Sequence, residues 1–552
     1  MTLTLAAFGA LDWAILIGYL LAVLGLGALA SRGQEDSESY FLGGRSMPTW
    51  AVTLSIVATS LSAATYVGVP QLTFRGDLSY LILNIGGVLG ALAIAIFFLP
   101  RLYAAGTTTI YGVLGQRYGP GGLIAASVAF LFGRLLASGA RLFMAGIAFS
   151  LILTGELSLR SIIFAIVLFG VIGTVYTCMG GIRAVIWTDT LQIVLVVGAA
   201  IAAVVFLLSE IPLSFGEIVD YLDQRERLRV VKSGFVEGKG YNWADSMTLF
   251  AAFAVLFQNM GSYGCDQDLV QRMMTTKSGW RASLSLMLSQ LVAMPVVFLF
   301  MVIGLLLSIF YGAPEIMGAN APTDVLADDR GVYPQFLVRH MPTGLAGLAM
   351  AGMFAAAMSS LDSAINAMAS SLVADVIQPI KALLGAADEG ASEAPLTADP
   401  AASEDQAQVA IGAPVPDAPA RASKTKEDGL ATPRLAVVGM GLLLIVFAAV
   451  AAVMQDAGGK RLIDFALGVM TYALSGLLGV FCAALFTKRG NVYSMIAGLL
   501  TGAITIVVIK EVGGLAWPYW MAIASPLSFL VTIIGWPLEG ESKEPSGDEV
   551  AG

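Results

Sequence analysis

The sequence predicts an all-α, polytopic membrane protein, and three observations predict it. Of 552 residues, 57% are hydrophobic and only 12% charged, against roughly 25% charged in soluble domains. Mean hydropathy is +0.80. Apolar windows of about 20 residues, the length that crosses a bilayer as a helix, recur along the whole chain.

Taken in order, thirteen windows qualify: 13–30, 48–74, 78–100, 123–153, 162–176, 185–208, 246–263, 284–310, 345–376, 436–454, 462–486, 492–509 and 517–535. The first is a retained helix and not a signal peptide, because no basic segment precedes it and Asp12 stands where positive charge is expected. The second ("VATSLSAATYVGVP") and the seventh ("FQNMGSYGCDQ") interrupt an apolar run with Gly, Ser, Thr or Asn. Such breaks are tolerated in a bilayer where the freed backbone lines a cavity. Two of them at matching places, five windows apart, mark a transporter binding site. Tighter helix packing through small residues is the alternative reading of either one alone.

The ninth window carries "MFAAAMSSLDSAINAMASSLVAD" from Met353 to Asp375, with seven hydroxyl or carboxylate side chains and one amide. Ala356, Ser359, Ser360 and Ser363 share one broad helical face, with Asp362 at its edge. Hydroxyls can bond back to their own helix. A carboxylate within a span is expensive and normally marks an ion or substrate path. A sodium ion supplies the missing partner, since it is hard and suits several neutral oxygens that hold it loosely enough for release. Asp189 in "GGIRAVIWTDTLQ" is a second intramembrane carboxylate, for which helix capping or a pair with Arg183 is the structural alternative. Arg134 and Arg141, seven residues apart in "FGRLLASGARLF", lie nearly on one face of an apolar span and need partners. One has Asp189 or Asp362 available; the other is free to clamp a substrate carboxylate.

Three cysteines, Cys178, Cys265 and Cys482, lie in or beside helices and give no disulfide framework. The net charge of −9 argues against nucleic acid as a partner. His340 is the only histidine and falls in a loop, "GGIRAV" is a turn without a preceding strand, and "SLDS" has no base nearby. The chain is therefore not expected to be an enzyme.

Basic residues set the orientation. With the N-terminus outside, the inward loops hold Arg32, Arg45, Arg101, Arg117, Arg183, Arg272, Lys277, Arg281, Lys488 and Arg489. The outward ones hold Arg160, Lys460 and Arg461, besides a long mixed-charge loop at 210–242 with a short helix in "GEIVDYLDQRERL". An odd helix count leaves the C-terminus in the cytoplasm, and a multi-pass protein of the cytoplasmic (inner) membrane is the expected location. Residues 385–433, rich in Ala, Pro, Asp and Glu, read as a disordered cytoplasmic loop, and the tail 538–552 is similar.

Four stretches, "GGRSMPTWAVTLSIVATSLSAATYVG", "YTCMGGIRAVIWTDTLQIVL", "CDQDLVQRMM" and "AAAMSSLDSAINAMAS", together resemble the sodium/solute symporter family of sodium–glucose, proline, sialic acid, monocarboxylate and pantothenate transporters. The resemblance spans about residues 10–535 outside the loop. It implies an inverted-repeat, five-plus-five (LeuT-like) core over 48–377 and 434–511, with repeats at about 48–209 and 244–490. Residues 1–47 would then add an extra helix before the core, and 512–537 another after it. The main sodium site it implies uses the carbonyls of Ala58, Leu61 and Ala356 and the hydroxyls of Ser359 and Ser360. A second sodium would sit among Asp189, Ser359 and Ser363, beside Asp362, which stands where the sialic acid transporters have serine. Substrate candidates are Ser60, Ser62 and Thr65 of the first broken helix, Asn259, Ser262 and Tyr263 of the second, and Asn84, besides Arg134 and Arg141. For Asn84 a helix–helix hydrogen bond is an equal alternative.

The function so implied is sodium-coupled uptake of a small organic solute by alternating access, working as a monomer. The solute leans anionic or zwitterionic: a monocarboxylate, a sialic acid or an amino acid. Proton coupling through Asp189 or Asp362, or a neutral sugar or polyol as solute, keeps the same fold. A membrane-embedded solute sensor is the distant alternative, and about 15 residues beyond the last window leave no room for its output domain.

Overall fold

The computed structural model describes residues 9–30, 37–154, 158–322, 332–382, 430–458 and 462–536. Each predicted window falls on helical segments, the second on two separate helices and the third on a run of short ones. Before the first broken span come α1 (Ala10–Ala30) and the short α2 (Ser37–Leu42). The span itself is α3 (Thr49–Ser60) with α4 (Ala63–Arg75). Next are α5 (Leu83–Ala93), α6 (Leu99–Ala105), α7 (Gly112–Thr154) and α8 (Leu159–Glu210). A surface helix α9 (Phe215–Gln224) and a hairpin, β1 (Phe235–Val236) with β2 (Gly240–Tyr241), lead to α10 (Leu249–Gly264) and α11 (Gln267–Met274). Then follow α12 (Gly279–Gly312), α13 (Pro314–Met317), α14 (Val332–Arg339) and α15 (Leu345–Ser371), which runs on as a π-helical turn, Leu372–Ile377. The last four are α16 (Ala431–Gly458), α17 (Leu462–Phe486), α18 (Val492–Val512) and α19 (Pro518–Ile534).

Among the described residues, eight helices are long and apolar enough to cross a membrane; the α3–α4 pair, bent by 59°, makes a ninth, and shorter apolar helices add to them. Helix α8 has 52 residues, about 78 Å at 1.5 Å each, more than twice a hydrocarbon core. It breaks at Gly181, where φ is +51°. A Cβ there would stand 2.5 Å from the Tyr40 carbonyl, so both the turn and the contact need glycine. The Tyr40 hydroxyl donates to the carbonyls of Thr177 and Cys178 beside the break. Windows 162–176 and 185–208 are therefore two spans in one helix.

Helix α15 sits at the centre. In its most apolar window 94% of residues are buried, against 22% for α1 and for α18. Its neighbours come close through small residues: Gly352 meets Ala199 of α8, and Gly173 meets Leu361. A helix with no lipid face can carry hydroxyls and carboxylates that a peripheral one cannot. Elsewhere α5 and α10 touch backbone to backbone, since a Cβ on Gly86 would lie 2.0 Å from the Ala252 carbonyl oxygen.

Two features depart from the sequence reading. The β1–β2 hairpin was not expected in the 210–242 loop; it is closed by Gly238 and Gly240 at positive φ and joined to α19 by Tyr241 and Tyr519, 2.9 Å apart. Lys232 reaches Asp77 at 3.1 Å across the same surface. Against the upward push of burial, Ser79 and this lysine hold the Asp77 carboxyl below its ordinary value. Finally, α16 starts at Ala431, inside the stretch read as loop. The remainder of that loop (to residue 429), the tail, Arg32, Lys460 and Arg461 lie outside the described residues.

Asp12 has a structural task. Its carboxylate is fully buried and accepts from the backbone N–H of Gly344 at 2.7 Å and of Gly347 at 2.6 Å, capping the N-terminus of α15. It also accepts from Gly9 at 2.8 Å. Caps satisfy N–H groups the helix cannot, and the macrodipole favours a negative charge there. Asp12→Ala should lower stability by about 1–3 kcal/mol, the cost of leaving buried donors unpaired. A lowered melting temperature of the detergent-solubilised variant checks it.

Candidate cation and solute site

Helix α3 ends where Ser60, Leu61 and Ser62 follow one another. Leu61 leaves helical space (φ −86°, ψ 81°), and Ser62 is extended. The last bond of the α3 ladder runs from the Leu61 N–H to the Val57 carbonyl at 2.9 Å. The next carbonyl, that of Ala58, accepts from the Ser359 hydroxyl at 2.9 Å. Ser359 also lies 3.2 Å from the Ala356 carbonyl, and Ser360 donates to the same carbonyl at 3.4 Å. Four of the five oxygens named for the main sodium site thus converge across two elements. Leu61 is buried at the break itself. The set suits a hard monovalent cation: all donors are uncharged, and the two hydroxyls need only rotate their protons away to present lone pairs.

One turn further along α15 the arrangement differs from the sequence reading. Asp189 pairs with Arg272 and not with Arg183. Arg272, counted with the inward loops, is fully buried on α11. Its Nε donates to Ser55 at 2.9 Å, and Nη1 to the carbonyl and side chain of Asp268 at 2.6 and 2.8 Å. Nη2 donates to Asp189 at 3.2 Å and to the Ser363 hydroxyl. Ser55 in turn donates to Asp189 at 2.5 Å. The guanidinium therefore stands between Asp189 and Ser363, two of the residues named for a second sodium. Asp362 accepts from the Tyr176 hydroxyl and, on its other oxygen, from the N–H and the hydroxyl of Ser363 at 2.6 and 3.1 Å.

Helix α10 runs unbroken through Asn259, Gly261 and Ser262, where the sequence reading placed the second interruption, and the gap falls after them, at Cys265 and Asp266, between α10 and α11. The freed Cys265 carbonyl accepts from the Tyr111 hydroxyl at 3.0 Å. Asp266 caps α11 through its Oδ1, at 3.1 Å from the Asp268 N–H, and takes Arg134 on its Oδ2 at 2.7 Å. Arg134 reaches Asp268 as well. The partners of Arg134 are thus neither Asp189 nor Asp362. Asp268 joins both arginines, so the buried chain reads Asp189, Arg272, Asp268, Arg134, Asp266 with alternating charge.

The remaining solute candidates divide. Ser60, Asn84 and Asn259 bond to carbonyls of their own helical turns, at 2.7, 3.0 and 3.0 Å. Asn259 also fills the space over Gly90. Ser62 and Tyr263 are buried, and Thr65 and Ser262 half-buried, beside the two gaps. Arg141, two turns along α7 from Arg134, is half-buried and makes no ion pair among the described residues. Ser138 lies between them on that face, buried and with its hydroxyl unpartnered. Sequence reasoning missed Ser138, Ser55, Tyr176, Asp266 and Asp268. Only Asp268 and Arg272, four apart, carried a readable pairing signal.

Residues 40–388 match the profile described as "Sodium:solute symporter family". The sodium/sialic acid symporter of Proteus mirabilis (strain HI4320) is 25% identical over 550 residues, 98% of each chain. The sodium/iodide cotransporter of Homo sapiens is 26% identical, over 94% of this chain and 71% of that one. A solved structure of a sodium-coupled sialic acid symporter, substrate-bound and outward-open, superposes with a TM-score of 0.75 at 24% identity. That superposition covers 96% of this chain and 98% of the other.

Removing the Arg272 guanidinium strands Asp189 and takes from Asp268 one of its two cations. Arg272→Ala should destabilise by about 3–5 kcal/mol, as breaking a buried pair does. Arg272→Lys should recover little of it, because an ammonium has three donors in place of five. Thermal unfolding of the solubilised variants checks both.

Proposed function

The chain belongs to the sodium:solute symporter family, and on that premise we propose that it imports a small organic anion together with one sodium ion by alternating access. The observation that carries the solute class is Arg141, a half-buried guanidinium within a span and without an ion pair among the described residues. A cation in such a place needs a negative partner. Arg134 on the same face already has two, so the carboxylate that Arg141 lacks is read as the solute's. Its planar fork matches a carboxylate bidentately, and Ser138 offers a hydroxyl beside it. The cargoes of the relatives, sialic acid and iodide, are both anions and agree with this reading.

Sodium acts by joining what must be together. Its cage draws one wall from the α3–α4 break and the other from α15, so the ion favours the conformer in which both are close. A solute that favours the same conformer binds tighter in sodium, and sodium tighter with the solute. Arg272 supports a single ion, because it already occupies Asp189 and Ser363. We place the α15 C-terminal end in the cytoplasm, the orientation that the remaining basic residues favour.

Proteoliposomes with an imposed sodium gradient test the proposal. Ser359→Ala combined with Ser360→Ala should abolish sodium-driven accumulation, and wild-type sodium activation should have a Hill coefficient of about one. Arg141→Ala should weaken solute affinity about tenfold to a hundredfold, the worth of hydrogen bonds to a charged group. Uptake of a neutral sugar, indifferent to Arg141→Ala, would overturn the solute class.

A further inference from the structure

Beyond the cation cage, α15 continues to a second set of oxygens that the transport site does not use. Asp375 lies in the π-helical turn and is 2% exposed. It accepts from the hydroxyls of Thr109, Ser127 at 2.9 Å and Ser371 at 2.8 Å. No arginine or lysine pairs with it among the described residues, and its three partners are fully buried. An anion left without a cation in such a place is costly. π turns are frequent at functional sites, and Ser371 and Asp375, four residues apart, lie on one side of the helix here.

The two sets are connected. Ser359, Ser363, Asn366 and Ser370 follow at spacings of four, three and four, one face of the helix. Asn366 is fully buried, and neither its amide nitrogen nor its oxygen has a partner. Ser370 accepts from Gln267 of α11 at 3.1 Å, and Gln267 accepts from the Ile110 N–H at 3.0 Å. A row of oxygens thus runs about 24 Å along α15 from Ser359 to Asp375.

We propose that Asp375, Thr109, Ser127 and Ser371 form a transient sodium site at the cytoplasmic end of α15, reached from the transport site past Asn366 and Ser370. One carboxylate and three hydroxyls are a hard, oxygen-only set, and a monovalent cation brings it to neutrality, where a divalent one would leave a buried positive charge. The site serves release: the ion leaves the cage, is held briefly beside Asp375 and passes to the cytoplasm. It adds no ion to the transport stoichiometry. The inference rests on sodium coupling through the Ser359 and Ser360 cage.

Sodium placed inside the vesicles provides the test, because it should load this site from the cytoplasmic face and inhibit uptake. In Asp375→Asn the internal sodium concentration that halves uptake should rise about fivefold or more, the loss of one charged ligand. The external concentration for half-activation should stay within about twofold of wild type, since the cage is intact. Thr109→Val and Ser127→Ala each remove one oxygen, leave the carboxylate in place, and should give smaller shifts of the same kind; they carry the test if Asp375→Asn does not fold. Internal inhibition unchanged in these variants, or internal and external sodium dependence moving together, would overturn the site and leave the transport reading standing. Wild-type uptake indifferent to external sodium would instead remove the transport reading itself.

Discussion

The guanidinium of Arg272 ties α3, α8, α11 and α15 to one another. It is fully buried and spends its donors on Ser55 of α3, Asp189 of α8, Asp268 of its own helix and Ser363 of α15. Take it away and Asp189 loses the one cation it pairs with among the described residues, and Asp268 one of two, in a medium that cannot solvate them. The dependence runs further, because Asp268 also neutralises Arg134, which in turn holds Asp266 at the α10–α11 gap. Both broken helices are therefore fastened by one alternating chain of charge. Arg141, further along α7, makes no ion pair with that chain among the described residues.

Why α15 tolerates seven oxygen-bearing side chains follows from its position. Enclosed on every side, it shows its hydroxyls to other helices and not to lipid. Ser359 meets a carbonyl that the α3 ladder has released, and Ser363 meets Arg272. Burial and polarity are thus two parts of one arrangement: the surrounding spans supply the partners, and small residues such as Gly352 and Gly173 let them come near enough.

Much of this was legible in the sequence because it is local. Apolar windows, the Ser-Leu-Ser interruption and the serine run of α15 are written in neighbouring residues, and so are the two gaps. Pairings are not local. Arg134 and Asp266 are 132 residues apart, and Arg272 and Ser363 are 91 apart. Close in sequence to Lys277 and Arg281, Arg272 reads as one more loop cation. Its eight-residue helix is too short for the apolar pattern that would reveal burial. The hairpin before α10 was hidden for a similar reason, since two-residue strands have no readable alternation.

Asp12 fastens the first helix to α15. Its carboxylate grips the start of α15 through two backbone N–H groups, with the Gly347 Cα so near that a methyl there would collide with Asp12. Helix α1 is thus no loose appendage of the transporter. If the broken helices rock, α1 travels or stays with α15 as a single mast, and a fluorophore on its far end would report the attitude of α15.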